Sequence, residues 1–471
     1  MPSRNWTLAV VSLATAMLML DIAVVNTALP AIATDLQTGL SGLQWVVDAY
    51  TLALASTVLS AGFLADRFGR RKLFLIGLVL FTGSSIAAAA SQSIEALIAA
   101  RAVQGLGAAV LFAVALALLA NAFQDAKGRT FAIAVWGATI GGSFAIGPLA
   151  GGALTTGLSW QWIFLVNVPI GAIALWITLT KVRESKDPFP RSLDYPGQVT
   201  LVSGMFLLVL ALLRGNEQGW GSTPILLELT FAALSFIAFI TIESRSRQPM
   251  LPLGLFRNPV FTGTQLAVFS ISASLFAVFL YITIYLQNVL GLSAIEAGLV
   301  FIPGTMVNFL VSGASAQIIP KLPIGVPVSV GLALVATGLG LFTSADVDSS
   351  WTVILPGSLI AMVGTGLVNT SLSGLALSIL PERQSGLASG IHDTFRQGGI
   401  AVGIAALGAF IPAHAGLGGD KTAFVDGFQH ALLAGAILAA VGAVVAAVLI
   451  RQRRAASAPE LVTGPVAVEA A

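Results

Sequence analysis

Three residues set in otherwise apolar stretches could do chemistry in this chain. Asp21 lies in LDIAVVNTALP (20–30), inside the apolar run Trp6 to Leu29. Asp48 lies in LQWVVDAYTLALA (43–55), and Arg101 lies in ALIAARAVQGLGAAV (96–110), three residues ahead of Gln104. A charge in hydrocarbon costs at least ~2.5 kcal/mol on the mildest insertion scale, so an ionisable group kept there is a functional-site hypothesis from the outset. The chemistry open to such a carboxylate is reversible protonation. Desolvation favours the neutral acid, a nearby guanidinium favours the anion, and a change of surroundings decides between them.

The surrounding elements follow from composition. The 471 residues are 56% hydrophobic and 9% charged, with mean hydropathy +0.92, which fits a polytopic all-α membrane protein and not one or two soluble domains. Cutting at polar breaks predicts fourteen spans. They fall at about 7–29, 44–65, 73–91, 95–120, 130–154, 160–180, 197–214, 224–243, 260–286, 297–318, 325–344, 351–379, 390–412 and 427–450. Basic residues test the count. With a cytoplasmic N-terminus, only Arg214 and Lys421 of the 23 lysines and arginines fall outside, while Arg101 and Arg396 lie in or at the mouth of a span. Miscounting one early span would scramble that bias. Both termini are therefore expected in the cytoplasm, with the chain in the plasma (inner) membrane, and the pI of about 9.0 reflects oriented insertion and not nucleic-acid binding. ALPAIA (28–33) resembles a signal-peptidase site, but one preceding basic residue and the internal Asp21 favour a retained first helix.

Several chemistries are excluded. The chain has no cysteine, and its three histidines, His392, His414 and His430, form no HExxH or other ligand pair. No GxxxxGK[ST] is present, so there is no P-loop. No metal, cofactor or enzymatic activity is expected.

Depth separates the acids. At ~1.5 Å per residue, Asp21 lies ~12 Å, Arg101 ~9 Å and Asp48 ~6 Å from the outer ends of their spans. Glu228, in the 224–243 span, is expected to be peripheral. The loop GFLADRFGRRK (62–72) sets Asp66 among Arg67, Arg70, Arg71 and Lys72, with Gly62 and Gly69 allowing a tight turn and close helix approach. Ordinary positive-inside loop chemistry is the plain alternative. Gly105 and Gly107 offer close packing after Arg101, and IGGSFAIGPLAGG (140–152) offers a bent, closely approached helix through Gly147, Pro148, Gly151 and Gly152.

On these strings the chain resembles the major facilitator superfamily, and within it the fourteen-helix drug:proton antiporter branch of quaternary-ammonium and methylviologen exporters. GFLADRFGRRK matches the superfamily's GxLaDrxGrr loop, RAVQGLGAA (101–109) its span-four pattern and GPLAGG (147–152) the antiporter signature. LDIAVVNTALP is similar to the branch's first-helix signature with Ala23 where Thr is usual, and Ser143 stands where a glycine precedes the Gly-Pro. LQWVVDAYTLALA, FLVNVPIG (164–171), DYPGQ (194–198), QPMLPLGLF (248–256) and SGLASGIHDTFRQGG (385–399) extend the resemblance along essentially the whole chain.

The resemblance implies the major facilitator fold: a six-helix bundle in 1–180, a linker with two extra helices in 181–259, a second bundle in 260–450, and a cytoplasmic tail at 451–471, read as disordered from its Ala/Pro/Glu composition. The second bundle's counterpart of the basic loop, GASAQIIPKLP (313–323), keeps only Lys321. The function implied is proton-coupled export of amphipathic, cationic small molecules by alternating access, by a monomer among membrane lipids, driven by a proton gradient without a cofactor. Asp21 and Asp48 with Arg101 would couple protons. Asp66 would pair across the bundle interface in one state, within a gate of Gly62, Arg67, Gly69, Arg70 and Arg71, to which Asp393 and Arg396 would add beside His392. A permanent Asp21–Arg101 bridge is the structural alternative.

Substrate contacts are expected from Tyr50, Gln104, Trp136, Tyr281, Tyr285, Asn308 and Asn369, with Gln397 a weaker candidate. Tyr281 and Tyr285 share a helical face by spacing; facing a cavity they would hold a cation, and facing lipid they would be belt aromatics. The 297–318 span lacks the acid found in some multidrug members, which argues against preference for divalent cations. The rival readings are export of a lipid or an endogenous antibiotic or metabolite, a channel, and a membrane enzyme, the last unsupported by paired acids or a metal cluster.

Overall fold

A computed structural model describes residues 2–450 apart from 187–193, 247, 319–321, 324, 379–384, 413–414 and 416–418. Arg191, Lys321, Arg383, His414 and the tail 451–471, on which the sequence sets expectations, lie outside the described residues. The described residues contain helices and no strand, as lipid requires of a chain whose backbone groups must be satisfied within each segment.

Helices α1 (Pro2–Asp35), α2 (Leu40–Phe68), α3 (Arg70–Ala89), α4 (Ile94–Ala122) and α5 (Ala126–Gly157) follow in sequence. A break at Val166 divides the next rod into α6 (Trp162–Leu165) and α7 (Asn167–Lys181). Then come α8 (Tyr195–Gln218) and α9 (Thr223–Arg245). α10 (Pro259–Ile271) runs through a wide turn at Ser272–Phe276 into α11 (Ala277–Ile284) and a second wide turn at Tyr285–Val289. α12 (Ala294–Ile318), α13 (Gly325–Phe342), α14 (Ile354–Ser378), α15 (Ser385–Gly408) and α16 (Lys421–Leu449) complete the chain. Local side chains fix the starts: Ser93, Asp125, Asp194 and Asp420 each accept a first-turn N–H of α4, α5, α8 and α16.

Among the described residues twelve helices are long and apolar enough to cross a membrane. The predicted spans 130–154 and 390–412 fall on α5 and α15, continuous helices outside that set of twelve. One face of α16, carrying Leu433, Ile437, Val441, Val444 and Val448, is exposed along its length. Such a stripe would be an aggregation liability in water and is at home against lipid.

Hydrophobicity cannot drive helices together where the solvent is itself apolar, so small residues and polar contacts do it. α13 and α14 meet through reciprocal glycines: a Cβ on Gly338 would stand 2.5 Å from the Gly357 carbonyl, and one on Gly357 would stand 2.6 Å from the Gly338 carbonyl. Gly107 brings α4 onto α3, where a Cβ would stand 2.7 Å from the Phe81 nitrogen. Helices α1 to α7 pack on one another, as do α10 to α16. α8 pairs with α9 and lies against α2 and α15. Its Gln198 donates to the Ser56 carbonyl at 2.5 Å and accepts from the Ser60 hydroxyl. At its other end Asn216 donates to the Ala409 carbonyl at 2.6 Å.

Gly338→Leu is expected to lower the melting temperature in detergent by overpacking worth ~1–3 kcal/mol. Gly340→Leu, two residues on and facing open space, is expected to leave it unchanged. Equal melting temperatures for the two variants would refute this account of the α13–α14 contact.

Candidate functional site

Asp21, Arg101 and Gln104 meet at the centre of the first seven helices. The Asp21 carboxylate accepts from Arg101 Nη1 at 2.6 Å, from Gln104 Nε2 at 2.8 Å and from Asn167 Nδ2 at 2.9 Å. Gln104 also accepts from Arg101 at 2.6 Å and donates to Ser85 Oγ at 2.9 Å. Arg101 Nε donates to the Val46 carbonyl at 3.1 Å, and its guanidinium lies 4.3 Å from the Tyr50 ring centre and 5.7 Å from that of Phe164. Asp21 is 0% and Arg101 1% exposed. A buried pair survives desolvation only if its remaining polar atoms are also answered, and here α1, α2, α3, α4 and α7 all contribute.

Asp48 is equally buried and entirely different. It is 0% exposed, and neither oxygen has a hydrogen-bond partner among the described residues. One turn away, Gln44 Nε2 donates to the Tyr281 hydroxyl at 2.8 Å, and that hydroxyl donates to the Ile404 carbonyl. The two acids expected to couple protons thus occupy separate environments, one with three donors and one with none among the described residues.

The loop between α2 and α3 is built largely on itself and on the end of α7. Asp66 pairs with Arg70 at 2.8 Å, four residues away, and not across the molecule. Arg71 donates to the Thr178 and Leu179 carbonyls at 3.1 and 2.6 Å, and Arg67 lies over Phe68. Gly69 has φ +112°, and a Cβ there would meet the Glu184 carboxylate at 2.8 Å. That carboxylate accepts from the Arg71 and Lys72 backbone N–H groups. Gly62 is not a close-approach position, since a Cβ would touch only Ala113 at 3.9 Å. On α15, Asp393 pairs with Arg396 at 2.9 Å, and Arg396 lies 5.6 Å from the Phe112 ring centre on α4.

The Gly-Pro segment of α5 sits between α1 and α12. Gly147 faces Ala23, and a Cβ on Gly151 would stand 2.7 Å from the Val24 carbonyl. One on Gly152 would stand 2.5 Å from the Ala294 carbonyl, and one on Gly298 of α12 would stand 2.5 Å from the Pro148 carbonyl. Gln287 adds a donor to the Thr27 carbonyl at 2.9 Å. The first and second groups of helices therefore touch closely at the α1–α2 loop end.

The expected substrate residues divide. Tyr50 is buried against Arg101 with an unpartnered hydroxyl. Tyr281 and Tyr285 do not present a common open face: Tyr281 is held by Gln44 and Ile404, whereas Tyr285 donates to the Asp346 carbonyl at 2.7 Å and stacks on Phe428. One turn apart along the helix, the two rings meet different neighbours. Trp136 donates to Thr15 and Asn308 to the Met362 carbonyl, both helix–helix contacts. Asn369 is exposed, and Glu228 pairs with Arg214 between the two accessory helices. Sequence reasoning missed Ser85, Asn167 and Gln44 as site residues. Asn167 had a legible signal, a lone amide in FLVNVPIG beside the break between α6 and α7.

A family model described as Major Facilitator Superfamily matches residues 11–404. The chain belongs to the major facilitator superfamily. This major facilitator protein is 37% identical over 410 residues to the multidrug resistance protein Stp of Mycobacterium tuberculosis (strain CDC 1551 / Oshkosh), covering 86% of this chain and 76% of that one. It is 35% identical to the tetracenomycin C resistance and export protein of Streptomyces glaucescens, covering 88% and 77%. The crystal structure of the human organic anion transporter MFSD10 (TETRAN) superposes with TM-score 0.63 at 16% identity, covering 95% of this chain and 100% of that one, a likeness of fold. Family membership makes the chain a multi-pass membrane transporter of small molecules and not an enzyme.

Arg101→Ala leaves the Asp21 charge buried without its counter-ion and is expected to cost ~3–5 kcal/mol. Adding Asp21→Asn removes that orphaned charge, so the double variant is expected to be more stable than Arg101→Ala alone in thermal unfolding. A double variant less stable than Arg101→Ala would contradict the pairing.

Proposed function

We propose that this transporter exports drugs or other amphipathic, cationic small molecules from the cytoplasm in exchange for protons. The observation carrying the proposal is the sealed Asp21–Arg101–Gln104–Asn167 cluster. It holds an acid where a proton and a nearby guanidinium can compete for the same oxygens. Relatives named for multidrug resistance and for tetracenomycin C resistance and export support the drug side of this reading.

In this reading the chain crosses the plasma membrane fourteen times with both termini inside, as a bundle at 1–180, two linker helices within 181–259 and a second bundle at 260–450. The α5–α12 contact then closes the outer side. Asp21 carries the proton when the bundles rock and Arg101 withdraws. One proton moving down ~150 mV releases ~3.5 kcal/mol, which at ~1.4 kcal/mol per decade sustains a ~300-fold gradient of a neutral substrate. A monovalent cation exchanged for a single proton feels only the pH difference, so its export against the potential needs a second titrating acid, and Asp48 fills that place. Export of an endogenous antibiotic is the second reading, favoured by the tetracenomycin relative.

Inverted vesicles should accumulate a cationic dye or antibiotic when acidified inside, and Asp21→Asn should abolish that uptake while leaving substrate counterflow intact. Full proton-driven uptake by Asp21→Asn with unchanged pH dependence would overturn the assignment of Asp21 as carrier.

A further inference from the structure

Asp48 lies in the stripe of α2 that meets α15. Gln44, Asp48, Ala55 and Leu59 are spaced by four, seven and four residues, which at ~100° per residue keeps them within ~60° of one another. Each of the other three is in contact with the second group of helices. Gln44 bonds Tyr281 and lies against Gly408, the Ala55 carbonyl accepts from Thr394 Oγ1 at 3.1 Å, and a Cβ on Gly390 would stand 2.7 Å from Leu59 Cδ2. Asp48 is therefore enclosed by a closed α2–α15 face, with contacts above and below it.

Among the described residues no group on the elements around it bonds either Asp48 oxygen, and neither the Nε2 of Gln397 on α15 nor the Tyr50 hydroxyl on α2, both themselves unpartnered, does so. Arg101 of α4 is committed to Asp21 of α1, Arg70 of α3 to Asp66, Arg214 of α8 to Glu228, and Arg396 of α15 to Asp393. His392 lies beside Arg396 on α15, with Nδ1 unpartnered. Tyr281 of α11 is within electrostatic reach of Asp48, but its one hydroxyl proton goes to Ile404. An ionised carboxylate with no donor is the least tolerable group in such a place, whereas the neutral acid costs far less.

We propose that Asp48 must hold a proton whenever α2 and α15 are closed, and that losing it requires this face to part and admit water or a cation. Asp48 is then a proton-dependent positioning residue, distinct from the Asp21–Arg101 pair. Its proton sets the conformational equilibrium, while its use in transport rests on the proton-coupled reading above.

The natural absence of cysteine makes the test direct. Leu59→Cys with Gly390→Cys places a Cβ 3.7 Å from the opposing Cα, within reach of a disulfide. Oxidative cross-linking of the full-length protein in liposomes, without substrate or gradient, is compared at one alkaline pH between this background and the same background with Asp48→Asn. Severalfold faster cross-linking in the Asp48→Asn background is expected, and the difference should vanish at acidic pH. Asp48→Ser, a second neutral replacement, should behave alike and keeps the test usable if the amide misfolds. Equal rates at both pH values in every background would overturn the proposal. Because no transport is measured, a proton-independent exporter would disprove the function proposed above while leaving this result standing.

Discussion

A carboxylate and a guanidinium at the centre of a membrane-spanning bundle stay charged only if their polar atoms are answered from inside the protein. That requirement organises the first half of this transporter. Asp21 brings α1 to Arg101 and Gln104 on α4 and to Asn167 on α7, and Gln104 reaches on to Ser85 of α3. The Tyr50 ring of α2 closes the cation's open face. Five helices are thereby registered by one ion pair, and the site of highest cost is also the site of greatest order.

Close packing elsewhere lets that polar centre stay dry. Glycine brings α4 against α2 and α3, α5 against α1 and α12, and α13 against α14. Because lipid offers helices no hydrophobic incentive to associate, these close backbone approaches and a few side-chain bonds carry the assembly. α8 joins apolar packing of Leu201, Met205, Val209 and Leu213 to the side-chain bonds of Gln198 and Asn216, which reach from α2 to the end of α15. Contacts that are small and local can be remade, as alternating access demands of a transporter's two halves.

Much of this was legible in the chain. An acid and an arginine at matched depth in two spans predicted a meeting that the structure shows directly, because depth along a helix is fixed by ~1.5 Å per residue. The glycines of 147–152 predicted close approach, and the structure names α1 and α12 as the neighbours. Partner choice was not legible. Spacing put Tyr281 and Tyr285 on one face, but each hydroxyl finds a different backbone carbonyl, Ile404 for one and Asp346 for the other. Asp66 was expected to pair across the bundle interface in one state, and in this structure it pairs with Arg70 one turn away. Asn167 was visible only as a motif letter, since its role depends on where the break at Val166 aims the amide.

The account stands on Asp21 being an acid that exchanges its proton in step with substrate. Proton release from the purified, vesicle-embedded transporter on adding a candidate cationic substrate tests that most directly, compared between wild type and Asp21→Asn. The account predicts release by wild type that Asp21→Asn diminishes. Equal release from both would contradict it and leave the buried pair as a structural bridge.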